Sequence, residues 1–210
     1  LGLVMIGGCS MVGFFVYMAS SPFVFIDYYG LSPLMYSLSY SFNAVAFIGA
    51  AQLTGLLGER FGLVRVVKAA ANAAGVVTLV LLGYYVAGGD SMWVLMGMYF
   101  ISSAFMGMVI PTSSVLALEE HGAIAGTASA LLGTLQMLMG ALGMGIFGLF
   151  SNGKPLTMVL AMAVGALLGV LLTWLTLGRA GAPGPVQPGH WLPPAPVAYT
   201  PLKLPTVCIV

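Results

Sequence analysis

Charged residues are scarce in this chain. Asp, Glu, Lys and Arg make up 5% of its 210 residues, against about 25% in soluble domains. By contrast, 60% of the residues are hydrophobic, and the mean hydropathy is +1.07. The formal net charge of +1 gives no reason to expect a nucleic-acid partner. The composition therefore predicts a polytopic membrane protein whose main partner is the lipid bilayer.

Metal-binding and redox residues are also few. Cys9 and Cys208 are the two cysteines, His121 and His190 are the two histidines, and no two of the four are close in the sequence. This spacing indicates neither a disulfide framework nor a metal site. We assign no catalytic residue, no metal and no cofactor, and we expect a protein that is not an enzyme.

Long apolar runs are what the chain has in abundance. Six of them approach the length of about 20 residues that crosses about 30 Å of hydrocarbon. They lie at about 3–26, 35–57, 66–87, 93–118, 124–150 and 155–177. We therefore predict an all-α membrane domain of six helices over residues 1–179. Residues 180–210 hold eight of the twelve prolines, and this composition predicts a disordered tail.

The basic residues predict an orientation. A chain with six spans places both ends, and the connections after its second and fourth spans, on one side of the membrane. That side receives five of the six Lys and Arg residues, and the other side receives only Lys154. Basic residues stay preferentially cytoplasmic, so both ends are predicted to be cytoplasmic. The chain starts with Leu1 in an apolar run, without Met or a basic segment, so we expect its true beginning to be missing.

Polar and aromatic residues form a stripe along the first and fourth predicted helices, at spacings of three or four. The stripes are Ser10, Phe14, Tyr17 and Ser21, and then Tyr99, Ser103, Met106, Ile110 and Ser113. The third and sixth helices have few polar residues and are predicted to face lipid, because hydrocarbon penalises unpaired polar groups. Our candidates for substrate contacts are Tyr17, Ser21, Tyr99, Ser103 and Met106. The alternative for each is helix packing without a cavity.

The fifth predicted helix has a face of small residues around one amide. Ser129, Gly133, Gln136, Gly140 and Gly143 follow each other at helical spacing, which lets another helix approach closely. Gln136 is a weaker candidate for substrate contact, since its amide could equally bond a neighbouring helix. Pro22 and Pro111 lie within the first and fourth helices, where each removes a backbone hydrogen bond and predicts a kink.

Six charged residues near the helix ends are candidates for a conformational or gating role. They are Asp27 at the outer edge of the first helix, Glu59, Arg60 and Arg65 after the second, and Glu119 and Glu120 after the fourth. The macrodipole disfavours negative charge at the carboxy end of a helix. We therefore hypothesise that Glu119 and Glu120 pair with Arg60 and Arg65 across the cytoplasmic side, and that this pairing biases the conformational equilibrium.

The connection after the second helix resembles a family signature. Gly55, Leu57, Glu59, Arg60 and Gly62 follow the G-x-L-x-[DE]-R-x-G-x-[RK] pattern of major facilitator superfamily transporters. The last basic residue of the pattern is displaced here to Arg65. In that family the pattern occupies a cytoplasmic loop.

Three further segments resemble the carboxy-terminal half of Bcr/CflA-type drug transporters, over about residues 5–178. They are SPFVFIDYYGLSP, SFNAVAFIGAAQLTGLLGERFG and AGTASALLGTLQ. The resemblance implies helices seven to twelve of a twelve-helix fold in a bacterial inner membrane. It also implies a cavity lined by the first and fourth helices here, and export of varied amphipathic molecules in exchange for protons.

The resemblance implies as well that an amino-terminal half is missing. No Asp, Glu or His lies in the middle of a predicted helix, and in related antiporters the essential acid usually lies in that other half. Two alternatives stay open. One is an uptake carrier for a polar solute with the same fold, and the other is a six-helix membrane scaffold that transports nothing. Six further helices with a buried acid would favour the antiporter.

Overall fold

The computed structural model describes residues 2–119, 125–150 and 153–177, and these ranges are helical apart from short connections. The helices are α1 (Gly2–Pro22) with a π-helical continuation (Phe23–Tyr28), α2 (Pro33–Phe61), α3 (Leu63–Val86), α4 (Met92–Glu119), α5 (Ala125–Leu149) and α6 (Pro155–Leu177). All six are long and apolar enough to cross a membrane, which confirms the predicted six-helix architecture. The predicted tail, 180–210, lies outside the described residues.

Local sequence signals set the helix ends between α1 and α3. The Ser32 hydroxyl accepts a hydrogen bond from the Met35 amide at 3.3 Å, and Pro33 follows it at the first helical position. At the other end of α2, Gly62 alone separates α2 from α3, with φ of 86°. Only glycine adopts this left-handed conformation without strain, so the turn can be this short.

Pro22 is the last residue of α1, and the backbone after it widens into the π-helix. In this segment the Tyr29 amide donates to the Val24 carbonyl at 3.1 Å, five residues back instead of four. Pro111 lies inside α4, which stays α-helical from Met92 to Glu119. The two prolines therefore act differently: one precedes a change in helix type, and the other is accommodated within a continuous helix.

The six helices pack as two related groups of three. α1 packs against α5 and α6, while α4 packs against α2 and α3. Contacts between α1 and α4, and between α3 and α6, join the two groups. Exchanging the segment α1–α3 with the segment α4–α6 leaves these principal contacts unchanged. Because each segment has three helices, the second segment is inverted relative to the first. This is the arrangement of an inverted repeat.

Small residues lie on the faces of α3 and α6 that pack against other helices. On α6, Gly165 and Gly169 lie against Cys9 and neighbouring residues of α1. On α3, Gly75 lies under Val170 of α6. The opposite faces of α3 and α6 expose large apolar side chains, such as Val80 and Leu168. The prediction that these two helices face lipid therefore applies to one face of each, because the other is packed against α1 and α4.

The face of small residues predicted on α5 makes close contact with α1. Gly140 lies under the ring of Phe15, and Gly143 lies under the side chain of Val12. Away from this contact, α5 exposes Leu131, Leu138 and other large apolar residues, as α2 does along most of its length. α2 and α5 are the least buried helices within the described residues.

Candidate functional site

The two predicted stripes meet each other between α1 and α4. The rings of Tyr17 and Tyr99 stack with centroids 3.5 Å apart and planes inclined by 15°. Further along the same α1–α4 interface, the Met106 side chain contacts Gly13. Tyr17, Ser21, Tyr99, Ser103 and Met106 are all buried within the described chain. The structure thus brings the sequence-predicted contact residues of the two helices into one region.

Tyr17 is the centre of a larger group, which we call the aromatic cluster: Tyr17, Phe25, Tyr36, Tyr40 and Tyr99. Apart from the closer Tyr17–Tyr99 stack, neighbouring rings lie 6.2 to 6.5 Å apart, within the range of about 4.5–7 Å in which aromatic pairs attract each other. The cluster joins α1 and its π-helix to α2 and α4. Sequence reasoning found Tyr17 and Tyr99 from their helical spacing. It missed the other three, because their contacts depend on how α2 packs.

Three of the candidate residues have their polar groups engaged by neighbouring helices. The Ser21 and Tyr36 hydroxyls are 2.8 Å apart. The Ser103 hydroxyl donates to the Asn43 side-chain oxygen at 2.6 Å. The Gln136 amide donates to the Ser114 hydroxyl at 3.5 Å. These contacts show where the three side chains lie, and they correspond to the helix-packing alternative stated for them.

Gln136 lies where α5, α1 and α4 come together. It is 4% exposed, and a Cβ added at Gly7 of α1 would collide with its amide. Glycine at position 7 therefore makes room for the Gln136 side chain beside Ser113. This placement gives the amide a structural role in joining α5 to the central helices.

A cavity of about 320 Å³ opens between α2 and α4, and we call it the α2–α4 crevice. Its lining consists of Tyr17, Ser39, Phe42, Asn43, Trp93, Met96, Gly97, Tyr99 and Phe100. Two of the predicted contact residues, Tyr17 and Tyr99, form its inner wall. Cavities that hold small ligands are usually 300–1,000 Å³ and mostly apolar, with a few polar groups. The crevice has this size and composition.

A second, much smaller cavity of about 30 Å³ lies between α1, α3, α4 and α6. Met106 lines it, together with Ser10, Thr78 and Ser102 among others. The Thr78 and Ser102 hydroxyls are 3.3 Å apart there. The volume suits about one water molecule and no larger ligand.

The charged candidates lie at helix ends. Asp27, Glu59, Arg60 and Arg65 are exposed, and the Arg60 guanidinium lies 5.7 Å from the centre of the Phe61 ring. Glu120 and the side chain of Glu119 lie outside the described residues. The hypothesised ion pair between the two connections therefore stays a prediction.

Sequence reasoning missed a second polar group, formed by Asp90 and three tyrosines. The Tyr28 and Tyr29 hydroxyls donate to the two Asp90 carboxylate oxygens at 2.7 and 2.6 Å. The Tyr85 hydroxyl lies 2.9 Å from that of Tyr29. These bonds join the connection before α2 to the one before α4. The up-and-down order of the helices places both connections on the same side of the bundle. This shared side was the feature of the sequence from which their contact could have been predicted.

The hydrogen bonds at Asp90 change the acidity of the groups outside the membrane spans. Donation from the Tyr29 hydroxyl, and then from Tyr28, lowers the pKa of Asp90 below its ordinary value of 3.8. Burial, and then the bond to Asp90, raises the pKa of Tyr29. Asp90 is thus held ionised, which suits a structural bond and does not suit a group that must carry protons at neutral pH.

The described residues contain no cluster of the side chains that usually hold a metal ion. Within 2–119, 125–150 and 153–177, no three His, Cys, Asp or Glu residues are grouped to hold a metal ion. Cys9 is buried in α1, and burial of this kind leaves a thiol inert. An apolar cavity with a few hydroxyl and amide groups has the composition of a site that binds small molecules.

These features describe an all-helical protein whose described residues include six helices long and apolar enough to cross a membrane. The chain is 32% identical over 170 residues to a curated protein of Bacillus subtilis (strain 168), described as the uncharacterized MFS-type transporter YdgK. The match covers 80% of this chain and 42% of that relative, so the chain spans less than half of the relative's length. No family model matches the chain. The chain is thus similar to part of a protein whose description places it among MFS-type transporters.

Proposed function

We propose that this chain is the carboxy-terminal half of a transporter that exports amphipathic small molecules in exchange for protons, of the Bcr/CflA type. The observation that carries the proposal is the Tyr17–Tyr99 pair on the inner wall of the α2–α4 crevice. Aromatic faces with a hydroxyl at one end bind amphipathic molecules without requiring a single ligand shape. A thioether, here from Met96, adapts in the same way.

The lining of the crevice favours this substrate class over a polar solute. It contains no Asp, Glu, Lys, Arg or His, and its polar side chains besides the two tyrosines are Ser39 and Asn43. A carrier for sugars or peptides would need more hydrogen-bonding groups to replace the solute's water, since each polar group buried without a partner is costly. The crevice offers few, so the uptake alternative is the weaker of the two.

The exposed face of α5 supports the idea that a second six-helix half completes the protein. Leu138 and Leu142 of α5 are large apolar residues that the described chain leaves open. Another set of helices, or lipid, has to cover them in a membrane. The acid that would exchange protons would also belong to that half, because Asp27, Glu59 and Asp90 lie outside the middle of the described helices.

Transport in everted membrane vesicles tests this proposal. The full-length protein that contains this chain would be expressed, a proton gradient generated, and the gradient followed with a pH-sensitive dye. Neutral aromatic amphiphiles should dissipate the gradient, whereas sugars and dipeptides should not. Dissipation by polar solutes alone would favour the uptake carrier. No response to either group would favour the non-transporting scaffold.

A further inference from the structure

We propose that the α2–α4 crevice is a binding site for uncharged aromatic amphiphiles that enter it sideways from the bilayer. The inference deepens the proposed function by naming a ligand class and a route. It rests on that function only for its biological meaning, because binding can occur whether or not the protein transports.

The first argument concerns the side of α4 on which the crevice opens. Trp93, Gly97 and Ile101 follow each other at intervals of four, so they lie along one side of α4, and all three are exposed. Tyr99 contacts α1 from nearly the opposite side of the helix. The open side of α4 therefore points away from the centre of the bundle. In the proposed route this side meets the acyl chains, and Trp93 at the start of α4 lies near the membrane surface, where tryptophans are enriched.

The second argument concerns the depth of the crevice. At its rim, Trp93 is 74% exposed and Phe42 is 64% exposed. At its inner wall, Tyr17 is 5% exposed and Tyr99 is 2% exposed. One cavity thus reaches from an exposed surface between α2 and α4 to the aromatic cluster at the centre. A molecule dissolved in the bilayer can reach Tyr17 without first passing through water.

The third argument concerns why the space between α2 and α4 is open at the crevice. Further along the same two helices, Gly107 of α4 touches the backbone of α2 at Phe47, so closely that an added Cβ would collide with the Phe47 carbonyl oxygen. Ten residues earlier, a Cβ added at Gly97 would meet nothing within 4 Å. α2 and α4 therefore approach each other closely at Gly107, and the crevice lies nearer the start of α4, beside Gly97. The lack of a side chain at position 97 leaves the mouth of the crevice free.

The fourth argument concerns the chemistry of the occupant. Five of the nine lining residues carry aromatic rings, and none carries a charge. The Asn43 side-chain oxygen already accepts a hydrogen bond from Ser103. The lining thus suits a ligand of one to three fused or linked rings with about one hydrogen-bonding group. A charged ligand would lack a counter-ion in this site, which disfavours it.

Fluorescence quenching of Trp93 by N-phenyl-1-naphthylamine tests the proposal, since this neutral aromatic probe absorbs where tryptophan emits. The full-length protein that contains this chain would be purified in lipid nanodiscs, with every tryptophan except Trp93 replaced by Phe, including Trp174 and Trp191. We expect saturable quenching in this reference protein. Gly97→Phe should weaken the apparent affinity at least about tenfold, since the new ring occupies the mouth, and Gly97→Leu should have an intermediate effect.

Gly83→Phe is the matched control. Gly83 is an exposed glycine of α3, near the same end of the bundle, and a Cβ there also meets nothing within 4 Å. This variant should bind the probe as the reference does. Quenching that rises linearly with probe concentration and is equal in all the proteins would mean simple partition into lipid, or a crevice filled by acyl chains, and would overturn the proposal. If the probe binds and the protein does not transport, only the proposed function is contradicted. If the protein transports and the probe does not bind at the crevice, only the present inference is contradicted.

Discussion

The ring of Tyr17 lies on the ring of Tyr99 with 3.5 Å between the centroids, and both residues are almost completely buried. The pair has two consequences. It forms the inner wall of the α2–α4 crevice. It also packs α1 against α4, the two helices at the centre of the bundle. Substitutions at these positions will therefore affect stability as well as binding, and experiments have to separate the two.

A double-mutant cycle measures the structural part. Tyr17→Ala and Tyr99→Ala should each destabilise the protein, and the two effects should be coupled by about 0.5–1.5 kcal/mol, because either substitution alone removes the stack. Unfolding in mixed micelles provides the free energies. Tyr17→Ala combined with Leu168→Ala is the control, since Leu168 is exposed on α6 and the two effects should simply add. Additive effects for the tyrosine pair would show that the stack contributes nothing.

The convergence of α2 and α4 predicts opposite outcomes for one substitution at two glycines of the same helix. Gly107→Ala should destabilise the protein by about 1–3 kcal/mol, because the methyl group meets the Phe47 carbonyl and backbone cannot move aside cheaply. Gly97→Ala should be neutral, or stabilising by up to about 1 kcal/mol, because the site is open and alanine favours the helix. Equal destabilisation by both variants, measured by the same unfolding assay, would contradict the described packing of α2 on α4.

The bonds at Asp90 predict a pH dependence of stability. Because the tyrosine hydroxyls lower its pKa in the folded state, ionised Asp90 stabilises the protein above its ordinary pKa of 3.8. That contribution is lost as the pH falls through the lower, folded-state pKa. On lowering the pH from about 5 to about 3, the Tm should therefore fall more steeply for the wild type than for Asp90→Asn.

Two tyrosine variants show whether the named hydroxyl is responsible. Tyr29→Phe removes the main donor to Asp90 and leaves Tyr28, so the pH dependence of its Tm should lie between those of the wild type and Asp90→Asn. Tyr84→Phe is the matched control, because Tyr84 neighbours Tyr85 on α3 and makes a ring contact with it. It should retain the wild-type slope. A wild-type slope in Tyr29→Phe would assign the effect to other groups.

The orientation predicted from the basic residues can be tested by cysteine labelling in intact cells. In a Cys208→Ser background, cysteines would be introduced at Ala87 before α4 and at Glu59 near the end of α2, both of which are exposed. An impermeant maleimide should label Ala87→Cys in intact cells, and Glu59→Cys only after permeabilisation, because Lys and Arg favour the cytoplasmic side. The reverse pattern would invert the orientation and leave the fold unchanged.

The helices could be predicted from the sequence because their signals are local. Six long apolar runs separated by Gly, Pro and Asp fix the number of spans, and the spacing of Tyr17 and Tyr99 fixes the faces on which they lie. The aromatic cluster and the crevice could not be predicted, because they depend on where α2 meets α4. The close contact at Gly107 is part of that geometry, and nothing in the sequence distinguishes Gly107 from Gly97.

The π-helix after Pro22 and the bonds to Asp90 illustrate the same limit. Proline predicts a local disturbance, and it does not predict the wider turn that carries Tyr28 and Tyr29 towards Asp90. Asp90 lies in a short connection whose residues look like ordinary helix breakers. Its role becomes visible only when the two connections on that side are placed side by side.

The export profile of three variants tests the central claim most directly, namely that the region between α1, α2 and α4 contacts the substrate. In the full-length protein, Tyr17→Phe and Met96→Ala alter the crevice while keeping most of the packing, and Leu168→Ala changes an exposed residue of α6. We expect the first two to change the relative export of aromatic amphiphiles by several-fold at normal expression, and Leu168→Ala to leave the profile as it is. A profile shifted by Leu168→Ala and unchanged in the two crevice variants would contradict the account.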